Sequence, residues 1–255
     1  METTVSFSCA DGFLLSGATR VKCRGDGTYD QTPPSCAPIV EEELDEDEGC
    51  PTEFDAMTAR TPRDSMIFAF KGARYWIYRR GETGAPRSHW KHSSPIANGF
   101  PNVPTHLDTA FSYTDPVSRE RFILLVKFPH VYFWDIITTQ IARVQDFTAT
   151  FGITEQVTAA HRWDENTIYF FVPRGYYIYK IREGKLEPTL KLSMDTFVGL
   201  PATVTATAAG KAFYSGIFYL FAGEEVYQIR LSDKQVLRNS PYMVTQLWRQ
   251  GLEAC

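Results

Sequence analysis

Residues 50–78 read CPTEFDAMTARTPRDSMIFAFKGARYWIY, and this stretch decides the fold. It opens with a short strand-like piece, Phe54-Asp55-Ala56-Met57, followed by the polar turn Thr61-Pro62-Arg63-Asp64-Ser65. A second apolar run, Met66 to Phe70, breaks at Lys71-Gly72, and a third begins at Tyr75-Trp76. The same unit returns three more times. Its first piece recurs as Leu107-Asp108-Thr109-Ala110, Val157-Thr158-Ala159-Ala160 and Val204-Thr205-Ala206-Thr207, with starts 53, 50 and 47 residues apart. The second recurs at Phe122 to Val126, Thr167 to Phe171 and Gly216 to Phe221, and the third at Val131 to Trp134, Tyr176 to Tyr179 and Val226 to Ile229. Between copies stand the phrases Phe100-Pro101, Phe151-Gly152-Ile153 and Phe197-Val198-Gly199-Leu200-Pro201.

A period near ~50 residues with three or four strands per copy is the pattern of propeller blades. The expected fold is therefore all-β, a four-bladed β-propeller over residues 50–255, with blades at approximately 50–100, 101–150, 151–199 and 200–255. Small residues (Ala56, Ala110, Ala159, Ala206) suit the crowded inner strands of such a ring. The second strands are apolar on both faces, as strands sandwiched between neighbouring sheets must be.

The phrase Cys50…Phe54-Asp55-Ala56…Phe68-Ala69-Phe70-Lys71-Gly72…Tyr75-Trp76 resembles a hemopexin-like repeat, as does Pro104 to Phe111. The resemblance implies a disulfide from Cys50 to Cys255, which would clasp the first blade to the last. Closing so long a loop contributes about 5 kcal/mol in the chain-entropy model. It also implies that inner-strand carbonyls at Asp55, Asp108, Thr158 and Thr205 face the axis and hold a structural ion, calcium or sodium with chloride. Hard cations accept such a ring of oxygens. Thr158 and Thr205 depart from the family, which has Asp there. The founding member of the family carries haem between two propellers; one propeller cannot reproduce that geometry. His89 and His92 stand in a polar loop, and His106, His130 and His161 are scattered. A haem or metal carrier is the alternative class, with haem disfavoured.

Residues 1–38 are a different module. Cys9, Cys23 and Cys36, with Asp11-Gly12-Phe13, Gly27-Thr28-Tyr29 and Pro34-Ser35-Cys36, resemble the second half of a sushi (complement control) module, Tyr29 replacing its tryptophan. That resemblance implies a Cys9–Cys36 bridge and leaves Cys23 as an unpaired thiol or an intermolecular hook, because the first cysteine of the family's four is missing. Cysteines so dense in a short segment point to an oxidising, extracellular setting. The expectation is a secreted protein whose signal peptide lies upstream of Met1. Arg24-Gly25-Asp26 spells the tripeptide that integrins read. Residues 39–49, with seven acidic side chains between Glu41 and Glu48, form a solvated linker.

The formal net charge is −4; the acidic run and the first 38 residues together leave the remainder near +4. That balance argues against a nucleic-acid binder, and no apolar run approaches the ~18 residues needed to span a bilayer. A local basic patch on the first blade, Arg74, Arg79, Arg80, Arg87 and Lys91, is a candidate site for a sulfated glycan or an acidic protein. No catalytic motif is present: no GxSxG, HExxH, P-loop or Cys–His pairing. The expected function is extracellular, non-enzymatic binding or adhesion through the propeller, with proteins or sulfated glycans as partners.

Overall fold

A computed structural model describes residues 3–7, 13–16, 20–30, 33–38, 51–61, 66–79, 89–90, 93–187, 190–208, 217–230, 233–237 and 240–244. The repeat folds as four antiparallel sheets, each running outward in chain order. The inner strands are Ala56–Ala59, Thr109–Thr114, Ala159–Arg162 and Ala206–Ala208. The second strands are Met66–Lys71, Arg121–Lys127, Thr167–Val172 and Ile217–Ala222. The third are Arg74–Arg79, His130–Asp135, Gly175–Lys180 and Glu225–Arg230. Blade two completes its sheet with the seven-residue strand Gln140–Asp146, whereas the outer edges of the other blades are two-residue pieces.

Each inner strand pairs with its second strand on one edge only. Along the other edge, inner strands of successive blades lie against each other, and the fourth lies against the first, which closes the ring. The register aligns Ala56, Thr109, Ala159 and Ala206 opposite Phe70, Val126, Phe171 and Phe221. The small residue expected at Ala110 is thus Thr109 in the equivalent position, and each inner strand begins two residues later than its sequence piece.

Four apolar cores fill the gaps between blades, one per junction. Alternation along an inner strand feeds two of them: Ala56 enters the core shared with blade two, and Met57 the one shared with blade four. The second strands are buried on both faces; every residue of Thr167–Val172 is buried. The recurring Phe between blades closes these cores. Phe151, at the end of the short helix Phe147–Phe151, lies 4.9 Å from the Phe170 ring centroid, and Phe111 lies 5.3 Å from it. Such ring pairs favour edge-on and offset contacts and add to the area they bury.

In the N-terminal segment, Thr3–Ser6 pairs with Arg20–Cys23 and Phe13–Ser16 pairs with Ser35–Pro38. Among the described residues no helix is long and apolar enough to cross a membrane.

Candidate functional site

The inner-strand positions Asp55, Asp108, Thr158 and Thr205 are brought together by the ring, each directly before its inner strand. A buried apolar residue, Phe54, Leu107, Val157 or Val204, precedes each one. Their main-chain N–H groups all donate to the second strand, Asp55 to Phe70 O (2.9 Å), Asp108 to Val126 O (2.8 Å), Thr158 to Phe171 O (2.9 Å) and Thr205 to Phe221 O (2.7 Å).

Their side chains close the turn that follows the second strand. Asp55 Oδ2 accepts from Gly72 N at 2.8 Å, Asp108 Oδ2 from Phe128 N at 2.6 Å, and Thr205 Oγ1 from Gly223 N at 3.3 Å. In each case the donor is two residues past the strand-two partner, so the contact is a repeated turn lock. In blade three that place is held by Pro173, which has no N–H to give. A carboxylate there would lose its principal donor. Thr158 instead turns its hydroxyl to Phe171 O at 3.4 Å. The departure from Asp that the sequence displays in blade three thus has a local cause.

The remaining carboxylate oxygens are also committed. Lys71 Nζ donates to Asp55 Oδ1 (2.9 Å) and Glu53 Oε1 (2.7 Å), and Gln156 Nε2 donates to Asp108 Oδ1 (2.8 Å). Burial is the largest single influence on Lys71 and lowers its pKa, but the two carboxylates together outweigh it and raise the pKa. Between blades, the buried Thr207 hydroxyl donates to Ala160 O, spanning the inner-strand edges. An axial ion would therefore be held by main-chain oxygens rather than by these side chains. Among the described residues no group of three or more His, Cys, Asp or Glu is placed to hold a metal.

Among the described residues the histidines do not converge. His161, on the third inner strand, is buried and stacked on Phe218 with ring centroids 4.6 Å apart. Burial pushes its pKa down to about 3, so it is neutral near pH 7. His106 Nδ1 lies 3.2 Å from Thr105 Oγ1, and its carbonyl accepts from Lys127 Nζ at 2.7 Å. The side chains of His89 and His92 lie outside the described residues.

Arg24-Gly25-Asp26 forms a turn at the tip of the strand ending at Cys23, and all three residues are exposed. Arg24 N donates to Thr28 O at 2.7 Å, and Gly27, with φ +81°, donates to Arg24 O at 3.1 Å. Asp26 Oδ1 accepts from Thr28 Oγ1 (2.7 Å) and Thr28 N (3.0 Å), which lowers its pKa. Cys23 beside it carries a free, half-buried thiol. Cys36 is disulfide-bonded, while its expected partner Cys9, and both Cys50 and Cys255, lie outside the described residues. Of the basic patch, Arg74 spends its Nε on Ser93 Oγ at 2.9 Å; Arg80, Arg87, Lys91 and the Arg79 side chain lie outside the described residues.

The sushi repeat (SCR repeat) profile matches residues 1–36. No protein of curated function matches the chain in sequence. Among solved structures, the fold is similar to LS24, a seed albumin from Lathyrus sativus, with TM-score 0.64 at 12% identity, covering 78% of this chain and 96% of that one. It is similar to the hemopexin fold protein CP4 from cow pea, with TM-score 0.62 at 16% identity, covering 77% and 96%. A plant lectin with two metal binding sites from Cicer arietinum gives TM-score 0.62 at 14% identity, again covering 77% and 96%. With a closed ring of four sheets and these neighbours, the chain is a four-bladed β-propeller of the hemopexin fold that carries a sushi repeat match at its N-terminal end.

Proposed function

We propose that this is a non-catalytic recognition and adhesion protein working outside the cell. The observation that carries the reading is the Arg24-Gly25-Asp26 turn. Its guanidinium and carboxylate side chains stand exposed on either side of a glycine, on a turn held by main-chain hydrogen bonds. Thr28 takes only Oδ1 of Asp26, and among the described residues Oδ2 makes no hydrogen bond. That oxygen is available to a receptor-borne divalent cation, as adhesion receptors of the integrin class require. The propeller supports the same reading, because the side chains before its inner strands are spent on its own turns.

Attachment of integrin-bearing cells to surfaces coated with the full chain tests it. Asp26→Glu, which displaces the carboxylate by one methylene, should reduce attachment at least ten-fold at equal coating and leave the Tm unchanged. Undiminished attachment, or none by the wild type, contradicts the reading.

The donor chemistry also supports an ion on the propeller axis held by backbone oxygens of the inner strands, calcium or sodium being the class that accepts neutral carbonyl ligands. It would be structural, and where it is calcium, chelation by EGTA should lower the Tm without altering attachment through the N-terminal turn.

A further inference from the structure

The junction between blades three and four holds an ammonium group among four aromatic rings. Lys234 Nζ lies 5.7 Å from the Trp163 ring centroid, 5.2 Å from Tyr169, 5.8 Å from Tyr176 and 5.6 Å from Phe197. Each distance is within the range over which a ring face attracts a cation. The rings come from four separate elements of blade three and its exit: the end of the inner strand, the second strand, the third strand and the linker to blade four. They also brace one another, with Tyr169 and Tyr176 stacked at 5.5 Å and Phe197 edge-on to Tyr176 at 5.2 Å. The cage is thus built by the blade and filled from its neighbour.

Two observations separate this cage from ordinary packing. The first concerns the turn that delivers Lys234. Lys234 N donates to Arg230 O (3.0 Å), as Thr139 N does to Asp135 O (2.9 Å) in blade two; in blade three Gly184 N donates to Ile181 O (3.3 Å). All three residues have positive φ, +57°, +53° and +61° in that order. The turn is therefore satisfied by threonine or glycine, and its geometry does not call for a lysine. The second is the absence of a counter-charge. Asp233, the adjacent carboxylate, is bonded to Arg230 Nη1 at 2.8 Å, and among the described residues no ion pair involves Lys234.

A primary ammonium has three N–H donors and needs acceptors for them; ring faces supply attraction but poor acceptors. A quaternary ammonium has the same charge and no N–H to satisfy, so it suits these walls better than the resident group does. Lys234 and Trp163 are partly exposed, whereas Tyr169, Tyr176 and Phe197 are buried, so the site is a deep one that meets solvent at Lys234 and Trp163.

We propose that Trp163, Tyr169, Tyr176 and Phe197 form a binding site for a quaternary ammonium group, which Lys234 fills in the resting molecule and yields to the ligand. The test is calorimetric titration of the full chain with tetramethylammonium chloride in place of equimolar sodium chloride. Lys234→Ala should bind it saturably and at least ten-fold more tightly than the wild type, because the tethered competitor is gone. Adding Trp163→Ala to that variant should remove the binding. A cooperatively folded Lys234→Ala protein that binds nothing makes Lys234 a clamp between blades and overturns the proposal. So does equal affinity in wild type and variant, or binding that survives Trp163→Ala. Where Lys234→Ala does not fold, Lys234→Gln keeps the length and drops the charge. Tetramethylammonium must then raise its Tm above that in sodium chloride, and equal Tm values overturn the proposal.

Discussion

Blades two and three share a strand order and a register, yet they fasten the same turn by different means. In blade two, Asp108 receives Phe128 N at 2.6 Å and Gln156 Nε2 at 2.8 Å. In blade three, Pro173 stands where that N–H would be, and Thr158 satisfies itself on Phe171 O at 3.4 Å. The difference teaches that the acidic residue of the repeat answers to a main-chain donor. Where the donor is lost, the carboxylate is lost with it, since a partly buried charge without donors costs more than a hydroxyl. Blade four is intermediate: Thr205 accepts from Gly223 N at 3.3 Å and donates to Phe221 O at 3.1 Å.

A second contrast between the two blades lies at the third position of the inner strand, where blade two has Phe111 and blade three has His161, opposite Leu124 and Tyr169. His161 binds a proton in the folded protein only below about pH 3, whereas the unfolded chain does so below its ordinary value of 6.5. The unfolded state therefore gains protons first, and stability is lost as pH falls through that window and is unaffected above it. Copying blade two by His161→Phe should remove this acid limb. The loss between pH 7 and pH 4, measured by urea denaturation, should shrink by about 3 kcal/mol, since each pH step below the unfolded value is worth about 1.36 kcal/mol. An unchanged difference would mean that His161 is not the group responsible.

Removing the lock of blade two should come next in size. Asp108→Ala takes away an ionised acceptor from Phe128 N and Gln156, and should cost about 2–3 kcal/mol in the same measurement. Thr158→Asp, which writes the blade-two residue into blade three opposite Pro173, should cost about 1–2 kcal/mol, because the new carboxylate is half-buried without its N–H. Thr205→Val, which deletes the weaker lock of blade four, should cost about 1 kcal/mol. Equal costs for Asp108→Ala and Thr205→Val would show that charge adds nothing to the lock.

The ring itself was legible in the sequence because a repeat leaves its mark four times, and each copy buries its second strand on both faces. Phe100, Phe151 and Phe197 announced the junctions for the same reason. The locks were legible only in part. Asp55, Asp108, Thr158 and Thr205 stood out by their place in the repeat, but their partners are backbone groups, which carry no letter. One letter did betray the pattern: Pro173, the single turn position of this kind without an N–H, faces one of the two copies that lack Asp. The aromatic cage had no such mark. Its rings are drawn from residues 163 to 197 and its cation from a turn in the next blade, so only the register between blades brings them together.

The missing main-chain N–H at Pro173, then, is what disfavours Asp before the inner strand of blade three. A double-mutant cycle on Thr158→Asp and Pro173→Ala, read as unfolding free energies in urea, tests this most directly. Restoring the N–H at residue 173 should rescue the introduced aspartate, with a favourable coupling of about 1–2 kcal/mol beyond the sum of the single changes. Additive effects, with Thr158→Asp equally harmful whether proline or alanine stands at 173, would contradict it.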